Sequence, residues 1–433
     1  MSENKDNRNI IAVVAMIFLF GMISFVTNLA APIGNIWKMQ PGIEGSNMWG
    51  MMGNMMNFLA YAVMGIPAGS LLKKKGYKFT ALAALLVGLL GVFIQFLSGI
   101  VGVGSSIAGL PANFFVYLFG AFVAGFSMCM LNTVVNPMLK ILGGKRSNQY
   151  IQIGGSFNSM MGTLTPMLVG ALIGTLTKDS VIKDVNPMLF LAMGVFAVTF
   201  VILYFVPIQD PEQTKSDAPA ESPLKFRHFV LGIIAIFLYV GIEVGIPGTL
   251  NFYLSDSTNG AGLPADFAVK IAGVVAGVYW LMMLAGRLTS SVISGKVSSK
   301  TQLTVVSATA IVLMLVAMFL PSSVGIGMNF NVEGETITAK VPVSAILLVL
   351  CGLCTSVMWG TIFDLSVEGL GAATEKASGI FMAMVVGGGI VPLVQNALAD
   401  VIGYMPSYWV LVASLAFILY FAVIGSKVAF AKE

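Results

Sequence analysis

Two carboxylates lie inside strongly apolar stretches of this sequence, where an ionised side chain is unfavourable. Glu243 stands four residues before Pro247, and Asp364 lies towards the end of the apolar run 342–370. A charge at the centre of a bilayer costs roughly 2.5–3.5 kcal/mol or more, so such a carboxylate must titrate, bind a cation or pair with a base. Glu243 and Asp364 are therefore candidate cation-binding residues. The alternatives are a structural hydrogen bond beside Pro247 and a charge at a helix end.

Amides and large aromatic side chains occupy the same apolar runs. An amide donates and accepts hydrogen bonds, as a sugar hydroxyl does, and an aromatic face can pack on the apolar side of a pyranose ring. Hydrogen bonding between helices, worth about 0.6–2 kcal/mol per pair, is the alternative role for each amide. The candidate substrate-binding residues are Asn28, Asn132, Asn158, Asn251, Trp280, Trp359 and Gln395.

The remaining chemistry-bearing residues do not form a catalytic or metal-binding motif. Cys351 and Cys354 have the spacing of half a zinc or redox site, but no second ligand pair accompanies them. The glycines at 387–389 are not followed by the Lys-Ser/Thr of a phosphate-binding loop. We therefore expect no enzyme activity, no firm metal site, and no cofactor other than a coupling proton or sodium ion.

The composition indicates a membrane protein. Of the 433 residues, 57% are hydrophobic and only 10% are charged, whereas a soluble domain carries roughly 25% charged residues. The net charge of +4 comes from short basic clusters between apolar runs, so we expect no nucleic-acid partner.

Twelve apolar runs are long enough to cross a bilayer, which needs about 20 residues per helix. The longest polar interruption, 208–227, is rich in Pro, Asp, Glu and Lys and separates six runs from six. We predict a six-helix bundle over 1–207, a cytoplasmic linker over 208–227 and a second six-helix bundle over 228–433. The runs are 10–38, 48–72, 77–101, 113–141, 148–176, 187–207, 228–254, 267–295, 301–320, 342–370, 374–403 and 406–426.

Basic residues predict the orientation of these helices. With a cytoplasmic N-terminus, eighteen of the 23 Lys and Arg residues fall on the cytoplasmic side, as the positive-inside rule requires. We therefore expect a multi-pass protein with both termini cytoplasmic. The short terminal tails are typical of a protein of the bacterial inner membrane.

The two halves of the sequence also resemble each other. Residues 69–78 and 286–296 are tight, basic, glycine-containing connections at matching places in each half. Internal repeats are typical of alternating-access carriers. One further connection alternates polar and apolar residues over 330–341, which predicts a small external β-hairpin.

Several stretches together resemble the fucose/glucose/galactose:proton symporter family of the major facilitator superfamily. The likeness covers nearly the whole chain. The stretches in the seventh and eleventh apolar runs, 237–244 and 387–400, are closer to the glucose and N-acetylglucosamine branch. The stretches are Asn136-Pro137 with Leu142-Gly143, Ser156-Phe157-Asn158-Ser159, 237–244, Tyr279-Trp280 with Gly286-Arg287, 387–400 and Ser407-Tyr408-Trp409.

The resemblance implies an all-α fold of twelve helices in two pseudo-symmetric bundles, with a sugar bound between them. It also implies that Asn158 contacts the sugar. Members typically carry Asn-Asp before the helix-one proline, where this chain has Thr27-Asn28, and Glu or Gln where this chain has Asn132. Asparagine cannot titrate, so neither familiar protonation site can carry a proton here.

The expected function is uptake of a neutral hexose by alternating access, with proton or sodium symport. A sugar uniporter and an exporter of a cationic drug-like substrate are the alternatives. The expected partners are the hexose and the lipid bilayer, and we expect a monomer.

Overall fold

The chain folds into long α-helices with two small β-hairpins. The computed structural model describes residues 2–143, 147–173, 180–206, 222–293, 297–332, 335–370 and 373–428. The helices of the first half of the chain are α1 (Ser2–Thr27), α2 (Ala30–Trp37), α3 (Asn47–Leu97), α4 (Ala112–Gly143), α5 (Ser147–Ile173) and α6 (Asn186–Phe205). Those of the second half are α7 (Arg227–Ser255), α8 (Ala268–Ile293), α9 (Ser299–Phe319), α10 (Val343–Val367), α11 (Thr374–Ala383), α12 (Gly387–Ile402), α13 (Tyr404–Ser407) and α14 (Trp409–Tyr420).

Ten helical segments in the described part of the chain are long and apolar enough to cross a membrane. One of them, α3, has 51 residues and breaks at Gly76, whose φ of 81° and ψ of 175° are not helical. It therefore accounts for both predicted runs 48–72 and 77–101. Helix α5 occupies the predicted run 148–176 but is not among the ten. The all-α membrane fold is confirmed, while the total of twelve spans stays a prediction.

The outer surface of the helices is apolar. Ile66, Phe205 and Phe319 are each about three-quarters exposed, at 74%, 76% and 74%. Large apolar side chains exposed in this way are typical of a surface that faces lipid. The predicted linker 208–227 lies outside the described residues as far as 221, and Pro223–Lys225 forms a single 3₁₀ turn before α7.

The predicted β-hairpin is confirmed. Strands β3 (Gly325–Val332) and β4 (Glu335–Pro342) pair antiparallel, with Asn329 opposite Thr338. A second, two-residue hairpin, β1 (Ser106–Ile107) and β2 (Leu110–Pro111), was not predicted. Its turn holds Ala108 and Gly109 at positive φ, and Ala-Gly lacks the Asn-Gly or Asp-Gly signal of such turns.

We call the predicted extracellular ends of the helices the outer end and their predicted cytoplasmic ends the inner end. The outer end carries the connections 38–46, 98–111, 256–267 and 320–342, and the inner end carries the chain around Gly76 and the α8–α9 connection. Helices of the first half contact those of the second, notably α5 with α8, α3 with α12 and α2 with α7.

The glycines at 387–389 allow helices to approach closely. A Cβ added at Gly387 would meet the Phe237 carbonyl of α7, and one at Gly388 or Gly389 would meet Phe58 of α3. The sequence around these glycines does not match a phosphate-binding motif. In the structure, the glycines let α12 pack closely against α7 and α3.

We expect Gly387→Ala to destabilise the folded protein by about 1–3 kcal/mol, because the added methyl overlaps backbone that cannot move aside. The thermal unfolding midpoint in detergent measures this. Gly379→Ala is the matched control, since a Cβ there has nothing within 4 Å. Equal midpoints for the two variants would contradict this account of the triplet.

Candidate functional site

A small cavity lies between the two halves of the chain, midway along the helices. Its volume is about 20 Å³, which is room for roughly one water molecule. A ligand pocket usually holds about 300–1,000 Å³, so the site is closed in this structure. Its lining is formed by Thr27, Asn28, Ala31, Pro32, Met51, Asn54, Pro166, Val244, Pro247, Gly248, Asn251, Ala276 and Trp280.

Prolines place polar groups at this cavity. Pro32 has no N–H, and its ring crowds the carbonyl of the residue four before it, Asn28. The first membrane segment accordingly breaks between α1 and α2, at residues 28–29. The Asn28 amide donates to the Ser24 carbonyl at 2.9 Å and to the Ser24 hydroxyl at 3.2 Å. Pro247 lies within α7, which also lines the cavity.

A third proline explains a contact between the two halves. Pro392 of α12 leaves the Gly388 carbonyl without its helical partner. Asn54 of α3 donates its amide N–H to that carbonyl at 2.8 Å. The Asn54 side chain, which lines the cavity, therefore holds the two halves together at its edge.

We expect Asn54→Ala to destabilise this closed structure by about 1–3 kcal/mol, because it leaves the buried Gly388 carbonyl unpaired. A lowered unfolding midpoint in detergent would show this. Ser414→Ala is the control, since among the described residues that hydroxyl bonds only the carbonyl of Val410 in its own helix. A midpoint unchanged by Asn54→Ala alone would contradict the prediction.

Three of the seven predicted substrate-binding residues line the cavity, namely Asn28, Asn251 and Trp280. Asn251 is 3% exposed, and its amide oxygen accepts the Asn35 amide N–H at 2.7 Å. Trp280 is buried, and its indole N–H has no hydrogen-bond partner among the described residues. Trp280 is thus a cavity-lining residue that carries a buried donor without a partner in the described part of the chain.

The other four predicted residues lie away from the lining. Asn132 donates to the Tyr61 hydroxyl at 2.8 Å, and Asn158 donates to the Phe20 carbonyl at 2.8 Å. Trp359 packs edge-on against neighbouring rings. Gln395 is fully buried near Gly245, and its amide oxygen and nitrogen have no hydrogen-bond partner among the described residues. In this closed structure the amides of Asn132 and Asn158 join neighbouring helices, and the substrate roles of all four residues stay predictions.

The predicted cation-binding residue Glu243 is paired with a base. Its Oε1 lies 3.6 Å from Nη2 of Arg287 on α8, and both side chains are about one-seventh exposed, at 14% and 15%. Nη1 of Arg287 donates to the Gly155 carbonyl at 2.6 Å and to the Ser159 hydroxyl at 2.9 Å, both on α5. Arg287 therefore joins a carboxylate of the second half to a helix of the first half.

Asp364 has a different environment. It is exposed and accepts a hydrogen bond from the Ser299 hydroxyl, at the start of α9, at 2.6 Å. This placement favours the alternative that Asp364 is a charge at a helix end. Glu243 is consequently the better placed of the two carboxylates for coupling.

A second polar cluster closes the outer end, and sequence reasoning did not single it out. This outer cluster consists of Lys38, Asn47, Asp256, Asp400 and Tyr404. The Lys38 ammonium donates to Asn47 and to the Tyr404 hydroxyl, which in turn donates to Asp256 at 2.9 Å. Lys38 also lies 4.6 Å from the centre of the Phe252 ring, a cation–π contact.

Asp400 completes this cluster by capping a helix of the other half. It accepts hydrogen bonds from the Ser46 hydroxyl at 2.8 Å and from the backbone N–H groups of Asn47 and Met48 at 2.6 and 3.0 Å. These N–H groups begin α3, where the helix dipole favours a negative charge. A carboxylate of the second half thus holds the start of a first-half helix.

Burial lowers the pKa of Lys38 from 10.5 to about 8, against the opposing effect of Asp256 and Asp400. The folded protein therefore binds this proton less tightly than the unfolded chain does. Its charged form destabilises the folded state below pH 8, and stability is regained as the pH rises from about 8 towards 10.5.

We expect the unfolding midpoint of the wild-type protein, relative to that of Lys38→Met, to rise between pH 8 and pH 10. The methionine variant keeps a similar apolar stem but cannot titrate. Thermal unfolding of both proteins in the same buffers measures the difference. A constant difference across this range would show that Lys38 is solvated.

The described residues hold no cluster of three or more His, Cys, Asp or Glu side chains that could bind a metal ion. A bundle of membrane helices with a polar cavity between its halves, bridged towards both ends, has the architecture of an alternating-access carrier.

The comparison with known proteins agrees with this architecture. The model of the Major Facilitator Superfamily matches residues 11–392, so the chain belongs to that superfamily. It is 28% identical over 441 residues to a glucose/galactose transporter of Brucella abortus, covering 98% of this chain and 97% of the relative. It is 24% identical to the L-fucose-proton symporter of Escherichia coli, covering 81% and 78%.

A solved structure shares the fold. The crystal structure of the Major Facilitator Superfamily transporter FucP in the outward conformation matches with a TM-score of 0.64 at 20% identity, covering 95% of this chain and 98% of that one. The resemblance to the fucose/glucose/galactose:proton symporter family is thereby confirmed.

Proposed function

We propose that this protein is a secondary transporter that takes up a neutral hexose together with a cation. The observation that carries the proposal is the cavity between the halves, whose lining includes three amides, a hydroxyl and an indole and contains no charged residue. The names of the relatives support a sugar as the substrate. We further propose that it acts as a monomer in a bacterial inner membrane, with both termini cytoplasmic.

The chemistry of the lining favours a neutral polyol. The amides of Asn28, Asn54 and Asn251 can exchange donors and acceptors with hydroxyls, and the Trp280 indole offers a face and an unpaired N–H. An organic anion would be expected to find Lys or Arg in the lining. A cationic drug would be drawn to a free carboxylate, but Glu243 faces Arg287.

We propose Glu243 as the coupling residue. Asn28 and Asn132 stand at the two positions where related proteins are expected to titrate, and neither of them can. The carboxylate of Glu243 can take up a proton or contribute an oxygen ligand to a sodium ion. If no cation is coupled, the protein is a sugar uniporter.

Uptake of radiolabelled glucose and galactose into proteoliposomes tests the proposal, with a sodium gradient, a pH gradient or neither imposed. Accumulation above equilibrium in one of the gradients is expected and identifies the coupling ion. Equilibration in every condition would make the protein a uniporter. No sugar flux at all, with a cationic dye transported instead, would overturn the proposal.

Trp280→Ala should raise the KM for sugar by roughly 10- to 100-fold, because it removes a stacking face and a donor worth about 1–3 kcal/mol together. Trp280→Phe keeps an aromatic face, so its KM should lie between that of the wild type and that of Trp280→Ala. Trp409→Ala is the control, since that ring is 48% exposed on the outside of the helices. An unchanged KM in Trp280→Ala would remove this residue from the site.

A further inference from the structure

The Arg287 side chain connects the proposed coupling residue with the helix that carries Asn158. One guanidinium nitrogen faces Glu243 of α7 at 3.6 Å, and another donates to Gly155 and Ser159 of α5. The latter two residues flank Asn158, whose amide also bonds Phe20 of α1. The positively charged Arg287 guanidinium therefore lies between a carboxylate of the second half and the first-half segment that is expected to contact sugar.

We propose that Arg287 is the positioning residue that transmits cation binding at Glu243 to the closure of the inner end. With Glu243 ionised, Arg287 is held in place and binds α5, so the inner end stays closed. When Glu243 takes up a proton or a sodium ion, the bridge to α5 weakens and the inner end opens. This inference rests on the proposed function, since it explains how that transporter is coupled.

The direction follows from the desolvation of charge. Arg287 is about 15% exposed, and within the described part of the chain it forms an ion pair with Glu243. Removing one member of a buried ion pair leaves the other charge uncompensated, which is strongly unfavourable. Neutralising Glu243 therefore favours the conformation in which Arg287 reaches water. Opening of the inner end provides that water, because it separates α8 from α5.

Release of the cation returns the carrier to its starting conformation. Once the inner end is open, the cation leaves Glu243 for the cytoplasm and the carboxylate regains its charge. The ion pair with Arg287 re-forms, and Arg287 can again bind Gly155 and Ser159. Release of the cation is thus linked to re-closure, which lets the outer end open for the next cycle.

Among the described residues, the other titratable groups that interact with Glu243 are two tyrosines. Tyr239 lies one turn away on α7, and Tyr279 of α8 interacts electrostatically with Glu243. The Tyr279 hydroxyl bonds Thr355 of α10 at 2.8 Å. Arg287 is the facing base on α8, and the two α5 groups that it binds, the Gly155 carbonyl and the Ser159 hydroxyl, do not ionise near neutral pH.

The test measures the distance between α5 and α8 at the inner end. Spin labels at Ile153 and Thr289, both exposed, are placed in the full chain after Cys129, Cys351 and Cys354 are replaced by serine. Pulsed electron paramagnetic resonance then records the distance in lipid nanodiscs from pH 5 to pH 9, with and without sodium chloride. Potassium chloride at the same ionic strength is the salt control.

We expect the wild-type protein to shift to the longer distance on acidification, if protons couple, or on addition of sodium, if sodium does. Glu243→Gln should show a larger population of the longer distance, and this population should not change with pH or sodium. Arg287→Gln should lose the shift, and Arg287→Lys should restore part of it because the charge is kept. Lys78→Gln, which removes a bond to Tyr204 within the first half, should respond like the wild type.

A full wild-type shift in Arg287→Gln would overturn the inference, and so would a normal shift in Glu243→Gln. Sugar uptake is measured in parallel on the unlabelled variants. If the wild type shows the shift but moves no hexose, the proposed function fails and the role of Arg287 is supported. If hexose accumulates but the distance ignores both cations, the role of Arg287 fails and the proposed function stands.

Discussion

Glu243→Gln is expected to abolish the accumulation of sugar against a gradient while leaving the exchange of sugar for sugar intact. Glutamine keeps the size and hydrogen-bonding ability of the side chain, but it cannot take up a proton or neutralise a sodium ion. The accumulation ratio in proteoliposomes should fall to about 1, since without a titrating carboxylate the cation gradient has no site through which to act.

The exchange assay separates lost coupling from lost folding. Vesicles are loaded with unlabelled hexose and the entry of labelled hexose is followed with no ion gradient. Asp364→Asn is the matched control, because that carboxylate is exposed and bonds only Ser299 among the described residues. Accumulation that survives in Glu243→Gln but disappears in Asp364→Asn would move the coupling site to the other carboxylate.

Asp400→Asn is expected to shift the carrier towards the form that is open at its outer end. The charged side chain accepts bonds from one hydroxyl and two backbone N–H groups at the start of α3. Asp400 is exposed, so its charge at the helix start is worth about 1 kcal/mol. The loss corresponds to roughly a 5-fold change in the population ratio of open to closed molecules.

Spin labels at Glu44 and Ser257 report this change, since both residues are exposed at the outer end, one in each half of the chain. The longer distance should gain population in Asp400→Asn and the apparent affinity for externally added sugar should rise. Asp266→Asn is the control, because it removes an exposed carboxylate at the same end. If the two variants give the same distance distribution, the capping contact does not hold the outer end closed.

The long helices and the larger hairpin could be predicted because each follows from local sequence, whereas the short β1–β2 hairpin could not. Apolar runs of membrane length became helices, and the alternation over 330–341 became the β3–β4 hairpin. Helix boundaries were less predictable. Gly76 adopts a positive φ, yet the chain on both sides is helical, so the turn between two predicted runs is shorter than their polar sequence indicated.

The site was predicted in part, and the difference has a physical reason. Asn28 lies four residues before Pro32, Asn251 lies four residues after Pro247, and Trp280 is a large aromatic residue within an apolar run, so local sequence identified them. Gln395 is equally polar, but the rotation of α12 turns it towards Gly245 instead. Rotation of a helix about its axis depends on its neighbours, which the sequence of that helix alone does not contain.

The contacts that close the two ends were the least predictable. Asp400 caps the start of α3 and Arg287 binds carbonyl and hydroxyl groups of α5, each across the boundary between the halves. Neither contact leaves a periodic pattern, because each joins one side chain to backbone or hydroxyl groups far away in the chain. Pairing of this kind emerges only when the helices are assembled.

Because the central cavity is so small, osmotic pressure should affect the balance between the open and closed forms of the carrier. The cavity has room for roughly one water molecule, whereas a ligand site of ordinary size holds about ten times as many or more. Each opening must therefore draw in about ten waters from one side of the membrane. Each closure without bound sugar must expel them again. Solutes too large to enter the site, such as polyethylene glycols, withhold that water and should favour the closed form in proportion to their osmotic pressure.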